Sequence, residues 1–205
     1  MHFYCPDSWL DTLLADDCPG LDLTVELLGI GASEGVMRFA PKADCVISGV
    51  EQAELLMRRG GLDVSRTAAN GDRLQAGQQC IEARGKAATL HRCWKLGQTL
   101  MEYMTGIATR SARMVDQACS VNPDVRVAVT RKNFPGAKAI CLEAAMNGGA
   151  TVHRQNLSDS ILVFEQHRVF LPGATQASLR SMAAMMDKLR ARAPEHKISA
   201  EVDSL

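Results

Sequence analysis

Two pairs of basic residues stand where apolar runs end. Val127-Ala128-Val129 leads into Thr130-Arg131-Lys132, and the run in "GGATVHRQNLSD" closes on His153-Arg154. One arginine at a strand end is ordinarily a solvated surface charge. Two such pairs on consecutive strands form a candidate anion site. Guanidinium groups take phosphate or carboxylate oxygens two at a time, and an ammonium adds a point charge. If the strands are parallel neighbours, all four side chains project from one rim. Charge at the tip of a buried strand is costly unless an anion meets it. The pattern therefore predicts a phosphorylated or carboxylated ligand.

Other motifs carry less. "GIGASEG" has the glycine spacing of a dinucleotide loop, but the strand-like "VMRFAPK" follows it where a helix would be needed to hold a pyrophosphate. It reads as a plain turn. Gly85-Lys86 is followed by Ala87, so no phosphate loop of the G-K-[ST] kind is present. "GDRLQAGQQCIEARG" has the hairpin rhythm of biotinyl-type carrier domains without their methionine-flanked lysine, and is expected only to shape a sheet. Seven cysteines at 5, 18, 45, 80, 93, 119 and 141 form no C-x-x-C pair, and the five histidines are equally scattered. They read as reduced thiols, with neither a disulfide framework nor a protein-only metal cage.

The elements that must position the basic pairs follow from periodicity. "DSWLDTLLADD" has helical spacing, and "LDLTVELLGI" fits a strand or a short helix. "GVMRFAPKADCVISGV" reads as strand, turn at Pro41-Lys42, strand. "GVEQAELLMRRGG" is a helix stopped by Gly60-Gly61, and "NGDRLQAGQQCIEARGKA" is two short strands. From Thr89 to Cys119, Leu, Met and Ile recur three and four apart, which predicts one long helix. Strand "RVAVT", helix "AKAICLEAAMNGG", strands "ATVHR" and "DSILVFE", helix "TQASLRSMAAMMDKLRARA" and a last strand in "HKISAEVDSL" then alternate. Alternation of this kind implies a parallel sheet or barrel with function at the carboxyl ends of its strands. Met182, Met185 and Met186 are packing residues on the last helix, and Trp94 reads as an interface or core anchor.

Composition bounds the partners. With 23 basic and 23 acidic residues and 46% apolar content, the chain lacks the basic excess of a nucleic-acid or anionic-membrane binder. No apolar run is long enough to span a bilayer and the start is too polar for a signal peptide, so the expected place is cytoplasmic. Two or three parallel strands with helices on one side leave an open edge. The expectation is a chain cut short or completed by another copy.

"TRKNFPGAKAICLEAAMNGGATVHRQNLSDSILVFEQHRV" resembles the signature of the quinolinate phosphoribosyltransferase (nicotinate-nucleotide pyrophosphorylase) family. Its usual form is D-T-R-K-T-T-P-G-L-R, then G-G-x-x-x-H-R-x-x-L-x-D, then L-I-K-D-N-H. "WK" at 94–95 and "EYMTGIAT" at 102–109 are similar to its molybdenum-transport-associated ModD branch. The resemblance implies an α/β protein: an N-terminal α/β sandwich domain (1–113) followed by the first part of a six-stranded α/β barrel (114–205), assembled as a homodimer with shared sites. It implies transfer of ribose 5-phosphate from phosphoribosyl pyrophosphate (PRPP), with Mg²⁺, to a heteroaromatic ring nitrogen. By position, Arg131, His153 and Arg154 match carboxylate-binding residues and Thr130 stands beside them. Lys132 matches a phosphate-side lysine, Glu201 an acidic residue near ribose and metal, and Lys95 an arginine reaching across the dimer. His167 matches a family histidine and reads equally as structural.

Three departures bear on substrate. Phe164 replaces the lysine of L-I-K-D-N-H, Lys95 replaces the cross-dimer arginine, and Val129 replaces the aspartate before Thr-Arg-Lys. A pocket with fewer cations suits quinolinate, a dicarboxylate, less than a monoanionic or neutral ring. The family continues with further barrel strands carrying a second acidic residue and a 5′-phosphate loop, so these residues alone are expected to bind PRPP poorly. The alternative is a non-catalytic accessory protein of molybdate transport or metabolism, its basic rim holding an oxyanion or phosphorylated ligand. A third reading is a dimeric scaffold whose site has decayed.

Overall fold

The computed structural model describes residues 6–171 and 179–202. It divides into two compact units, Met1–Val152 and His153–Leu205. In the first, α1 (Asp7–Asp17), α2 (Leu23–Leu28), β1 (Glu34–Phe39), β2 (Cys45–Val46), α3 (Val50–Arg59), β3 (Asp63–Arg66), β4 (Arg73–Leu74), β5 (Ile81–Lys86), α4 (Ala87–Val121), β6 (Ala128–Val129), α5 (Lys138–Asn147) and β7 (Thr151–Val152) follow in order. The second holds β8 (Ile161–Val163), α6 (Glu165–Arg168), α7 (Leu179–Arg192) and β9 (Ile198–Ala200). The last helix was expected to begin at Thr175, and residues 175–178, Cys5 and the closing 203–205 lie outside the described residues.

Local chemistry resolves the segment that periodicity leaves open. Asp22 accepts hydrogen bonds from the Thr24 and Val25 amides at 2.9 and 3.1 Å, and Gly29 ends the turn in the left-handed region at φ 67°. An aspartate N-cap and a glycine C-cap make "LTVELL" a helix. "GIGASEG" is then the turn from α2 into β1, as the strand-like residues after it predict. The strand β3 is not announced by the sequence, because Val64 is its one buried side chain. It exists through pairing: β1-β5-β3 form an antiparallel sheet in which β5 is central, with Val36 opposite Arg84 and Val64 opposite Ala83.

The helix α4 covers this front half and leads into the next. Its buried residues Leu90, Cys93, Gly97, Leu100, Met101, Met104, Ala108 and Ala112 recur three and four apart, one face of a helix. Leu90, Cys93, Leu100 and Met101 share one core with Val50, Ala53, Leu56 and Met57 of α3 and Ile81 of β5, while Ala108 and Ala112 cluster with Val46 of β2. Two threonines on α4 satisfy buried backbone: Thr109 accepts from the Val46 amide at 3.0 Å, and Thr105 from the Ser48 amide at 3.1 Å. The expected domain boundary after Arg113 falls within α4.

Burial pushes the Cys93 thiol up to about 11 from its ordinary 9.0. The folded form therefore keeps the proton where the unfolded form has lost it, and stability falls as pH climbs from about 9 toward 11. Cys93 has no exposed surface. We expect Cys93 to stay unmodified by iodoacetamide at pH 8 in the native chain and to react fully once unfolded, as read by peptide mass spectrometry.

A polar network fastens α5 to α3. Glu143, buried in the run Leu142-Glu143-Ala144-Ala145, accepts from Gln52 Nε2 at 2.9 Å and from Asn70 Nδ2 at 3.4 Å. Asn70 Oδ1 in turn accepts the Val50 amide at the start of α3 at 3.0 Å, and Asn147 Nδ2 donates to Ser48 Oγ at 2.8 Å. Buried polar groups with partners of this kind fix one arrangement of the elements that carry them. Because α5 begins just after the Thr130–Ala137 loop, the network also anchors that loop's far end.

The strands of the back half pair in parallel, as their alternation with helices implies. β6 runs parallel to β7 with Val129 opposite Val152, and β8 parallel to β9 with Val163 opposite Ala200. One expectation is corrected. β6 is not a buried strand, since Ala128 is exposed and Val129 half-buried. Among the described residues β7 is its one strand partner, so no second neighbour covers its other edge.

Candidate functional site

The parallel register of β6 and β7 makes the chain leave both strands at one end, from Val129 into Thr130-Arg131-Lys132 and from Val152 into His153-Arg154. The loop after β6 is built from short turns. Thr130 Oγ1 accepts the Lys132 amide at 3.4 Å, the Arg131 carbonyl accepts the Asn133 amide at 2.9 Å, and the Phe134 carbonyl accepts the Ala137 amide at 3.0 Å. Gly136 closes it at φ 83°, a left-handed conformation that a side chain would strain. Arg131 and Lys132 are exposed and have no ion pair among the described residues. Their charges are solvated, so the desolvation argument made for a buried strand tip does not apply to them.

It applies to Arg154. Arg154 is 8% exposed and, among the described residues, makes one long hydrogen bond, from Nη1 to the Ser160 carbonyl at 3.5 Å, and no ion pair. Asp159 shapes the same turn, accepting the Gln155 amide at 2.7 Å. His153 is half-buried. At the carboxyl end of the second parallel pair stand Phe164 and Glu201, each the residue after its strand, and the Glu201 amide donates to the Val163 carbonyl at 2.8 Å. Glu201 is exposed. The Phe164 ring meets His167 edge-on at 4.0 Å, and His167 Nδ1 accepts the Phe164 amide at 3.3 Å. That hydrogen bond puts a neutral ring's proton on Nε2.

Lys95 lies on α4, away from both loops in sequence. Its Nζ sits 4.7 Å from the Trp94 ring centre and donates to Gln98 Oε1 at 3.3 Å. Trp94, with Phe39, Cys45, Met101 and Arg110, lines a groove of about 820 Å³ on the first unit. Sequence reasoning identifies Trp94 and Lys95 and misses the groove, whose walls come from segments far apart in the chain. It also misses Glu143, although a glutamate within the apolar run of a helix is a readable signal. Among the described residues no three His, Cys, Asp or Glu side chains gather as a metal site. No helix among them is long and apolar enough to cross a membrane.

An antiparallel sheet domain followed by parallel β–α units is the layout of the quinolinate phosphoribosyltransferase fold. Solved structures share it. NadC from Streptococcus pyogenes matches with a TM-score of 0.81 at 24% identity, over 97% of this chain and 68% of that one. The nicotinate-nucleotide pyrophosphorylase from Francisella tularensis matches at 0.85 and 18% identity, over 99% and 70%. Family models for the N-terminal and C-terminal domains of quinolinate phosphoribosyl transferase match residues 22–105 and 107–205. Two curated relatives carry the name "Putative pyrophosphorylase ModD". The Rhodobacter capsulatus protein is 37% identical over 98% of this chain and 75% of its own length; the Pasteurella multocida protein is 32% identical over 98% and 70%. The chain belongs to the quinolinate phosphoribosyl transferase family, in its ModD branch.

Proposed function

We propose that the chain is a pyrophosphate-releasing phosphoribosyltransferase that joins the ribose 5-phosphate group of PRPP to a heteroaromatic acceptor other than quinolinate. The observation that carries the reading is Arg154, a buried cation with no counter-ion among the described residues, on the segment that leaves β7. A guanidinium kept out of water in this way is stabilised by an anionic ligand. Family membership supplies the reaction class.

In that reaction the acceptor's ring nitrogen forms a bond to the anomeric carbon while the bond from that carbon to pyrophosphate breaks. Positive charge builds on the ribose and negative charge on the leaving group. Lys132 stabilises the departing phosphates, Glu201 holds the ribose hydroxyls, and Arg131, His153 and Arg154 orient the acceptor through its anionic substituent. Magnesium, when bound with PRPP, neutralises pyrophosphate oxygens. One exposed carboxylate, Glu201, suits an ion usually held by one or two carboxylates plus substrate phosphates. Phe164 presents a ring at the end of β8 where a cation would serve a second carboxylate, which favours a monoanionic or neutral acceptor. The active unit is a homodimer in which exposed Lys95 serves the site of the other copy.

The test is pyrophosphate release from Mg²⁺–PRPP with pyridine-2,3-dicarboxylate, pyridine-3-carboxylate and pyridine-3-carboxamide as acceptors. We expect a monocarboxylate or carboxamide to exceed the dicarboxylate at least tenfold in kcat/KM. An ordinary rate with the dicarboxylate would remove the claim of a different acceptor. Release with none of the three, in a chain that also fails to bind PRPP, would remove the enzyme.

A further inference from the structure

We propose that Asn133 and Phe134 select the acceptor, Phe134 as the surface on which its ring lies and Asn133 as the hydrogen-bond donor to its polar substituent. The inference rests on the phosphoribosyltransferase reading and deepens it. Two observations on adjacent residues carry it.

The first is an unmet donor. Asn133 Nδ2 is buried and has no hydrogen-bond partner, one of two such side-chain atoms among the described residues. A buried amide N–H with nothing to bond is expensive, and native structures keep few of them. The loop around it is otherwise well satisfied: the Lys132, Asn133 and Ala137 amides all have partners. The loop's geometry therefore does not require the amide, and a ligand oxygen would complete it.

The second is an unmet apolar surface. Phe134 is 77% exposed, directly after Arg131, Lys132 and Asn133. A single exposed phenylalanine needs no explanation in general. This one sits on a loop held by Pro135 and the left-handed Gly136, two and three residues after Lys132 and Arg131, which have no ion pair among the described residues. An aromatic ring stacked on Phe134 would remove both apolar faces from water in an offset arrangement, while the neighbouring cations draw in its charge. The carboxamide of Asn133 donates through Nδ2 and accepts through Oδ1, so it serves a ring bearing a carboxylate or a carboxamide. On the proposed reaction the ligand class is therefore a heteroaromatic ring with one carbonyl-type substituent.

The experiment titrates the full chain calorimetrically with Mg²⁺–PRPP, and with pyridine-3-carboxylate and pyridine-3-carboxamide in the presence of Mg²⁺–pyrophosphate. Asn133→Ala, Phe134→Thr and Lys132→Ala are compared with the unaltered chain. Phe134→Thr is expected to weaken both rings about tenfold and leave PRPP affinity unchanged. Asn133→Ala is expected to weaken them at least fivefold without lowering the melting temperature of the free chain, because its amide has no protein partner to lose. Ring affinities within twofold of the unaltered chain, or a PRPP affinity that falls in parallel, would overturn the assignment while leaving the reaction class standing. So would a chain that binds PRPP and neither ring. PRPP affinity absent from the unaltered chain, or indifferent to Lys132→Ala, would instead bring down the underlying reading and the acceptor assignment with it.

Discussion

Gly148→Ala is expected to destabilise the folded chain by about 3 kcal/mol, the upper range for overpacking a well-filled site. Gly148 caps α5 with φ −81°, an ordinary value, so the constraint is space and not backbone freedom. A Cβ there would lie 2.2 Å from the Ala108 carbonyl oxygen, 2.7 Å from Ser111 Cβ and 3.0 Å from the Ala112 amide nitrogen. All three belong to α4, two of them are backbone, and none can swing aside as a long side chain would. The helices must separate, which also stretches the Glu143–Gln52 and Asn147–Ser48 hydrogen bonds. In a domain of this size the loss corresponds to a fall of roughly 6–12 °C in melting temperature. Gly106→Ala is the internal control: a Cβ at this position in α4 meets nothing within 4 Å. Removing the backbone freedom of a helical glycine there should raise stability by about 0.5–1 kcal/mol. Urea denaturation of the two variants checks both signs, and equal effects would refute the packing argument.

The α4–α5 contact also marks where sequence reading runs out. The three- and four-residue spacing of Leu90, Cys93, Leu100 and Met104 makes α4 legible, because a helix face is a local property. The closeness of Gly148 to Ala108 is not local, and "MNGGA" reads only as the end of a helix. β3 fails for the same reason: with Val64 as its single buried side chain, its existence depends on β5. The basic pairs after β6 and β7 are legible as types and spacing, and the parallel register places their backbones as the alternation of elements predicts. Their burial was not legible. Arg131 and Arg154 look alike as strand-end arginines, yet the first is solvated and the second enclosed. Burial depends on which residues a turn folds over the guanidinium, and the turn from Gln155 to Asp159 is set by side-chain bonds that leave no periodic trace. Asn133 and Phe134 carry no signal until their surroundings are seen, since an exposed phenylalanine and a satisfied core phenylalanine have the same letter.

Arg154→Met is expected to cost the proposed reaction about 10²–10³-fold in kcat/KM while the free chain becomes more stable, by about 1–3 kcal/mol. The stability sign follows from the enclosure of Arg154. Its charge has been taken from water, one hydrogen bond of 3.5 Å offsets that loss poorly, and no ion pair is made to it among the described residues. Methionine fills similar space without a charge to desolvate, and replacing buried ionic groups by apolar ones of similar volume is often neutral or stabilising. The activity sign follows from the same cost seen from the ligand's side. A bidentate charge-assisted pair with an acceptor carboxylate contributes roughly 3–4 kcal/mol, and each 1.36 kcal/mol is a factor of ten in rate. Arg131→Ala separates the two effects, because Arg131 is exposed. It should reduce kcat/KM at least 100-fold and leave stability within about 0.5 kcal/mol of the unaltered chain. Steady-state pyrophosphate release and urea denaturation, measured on the same preparations, read both quantities. A destabilised Arg154→Met with full activity would mean that the enclosed guanidinium is a packing group, and the anion site would then rest on the solvated pair after β6 alone.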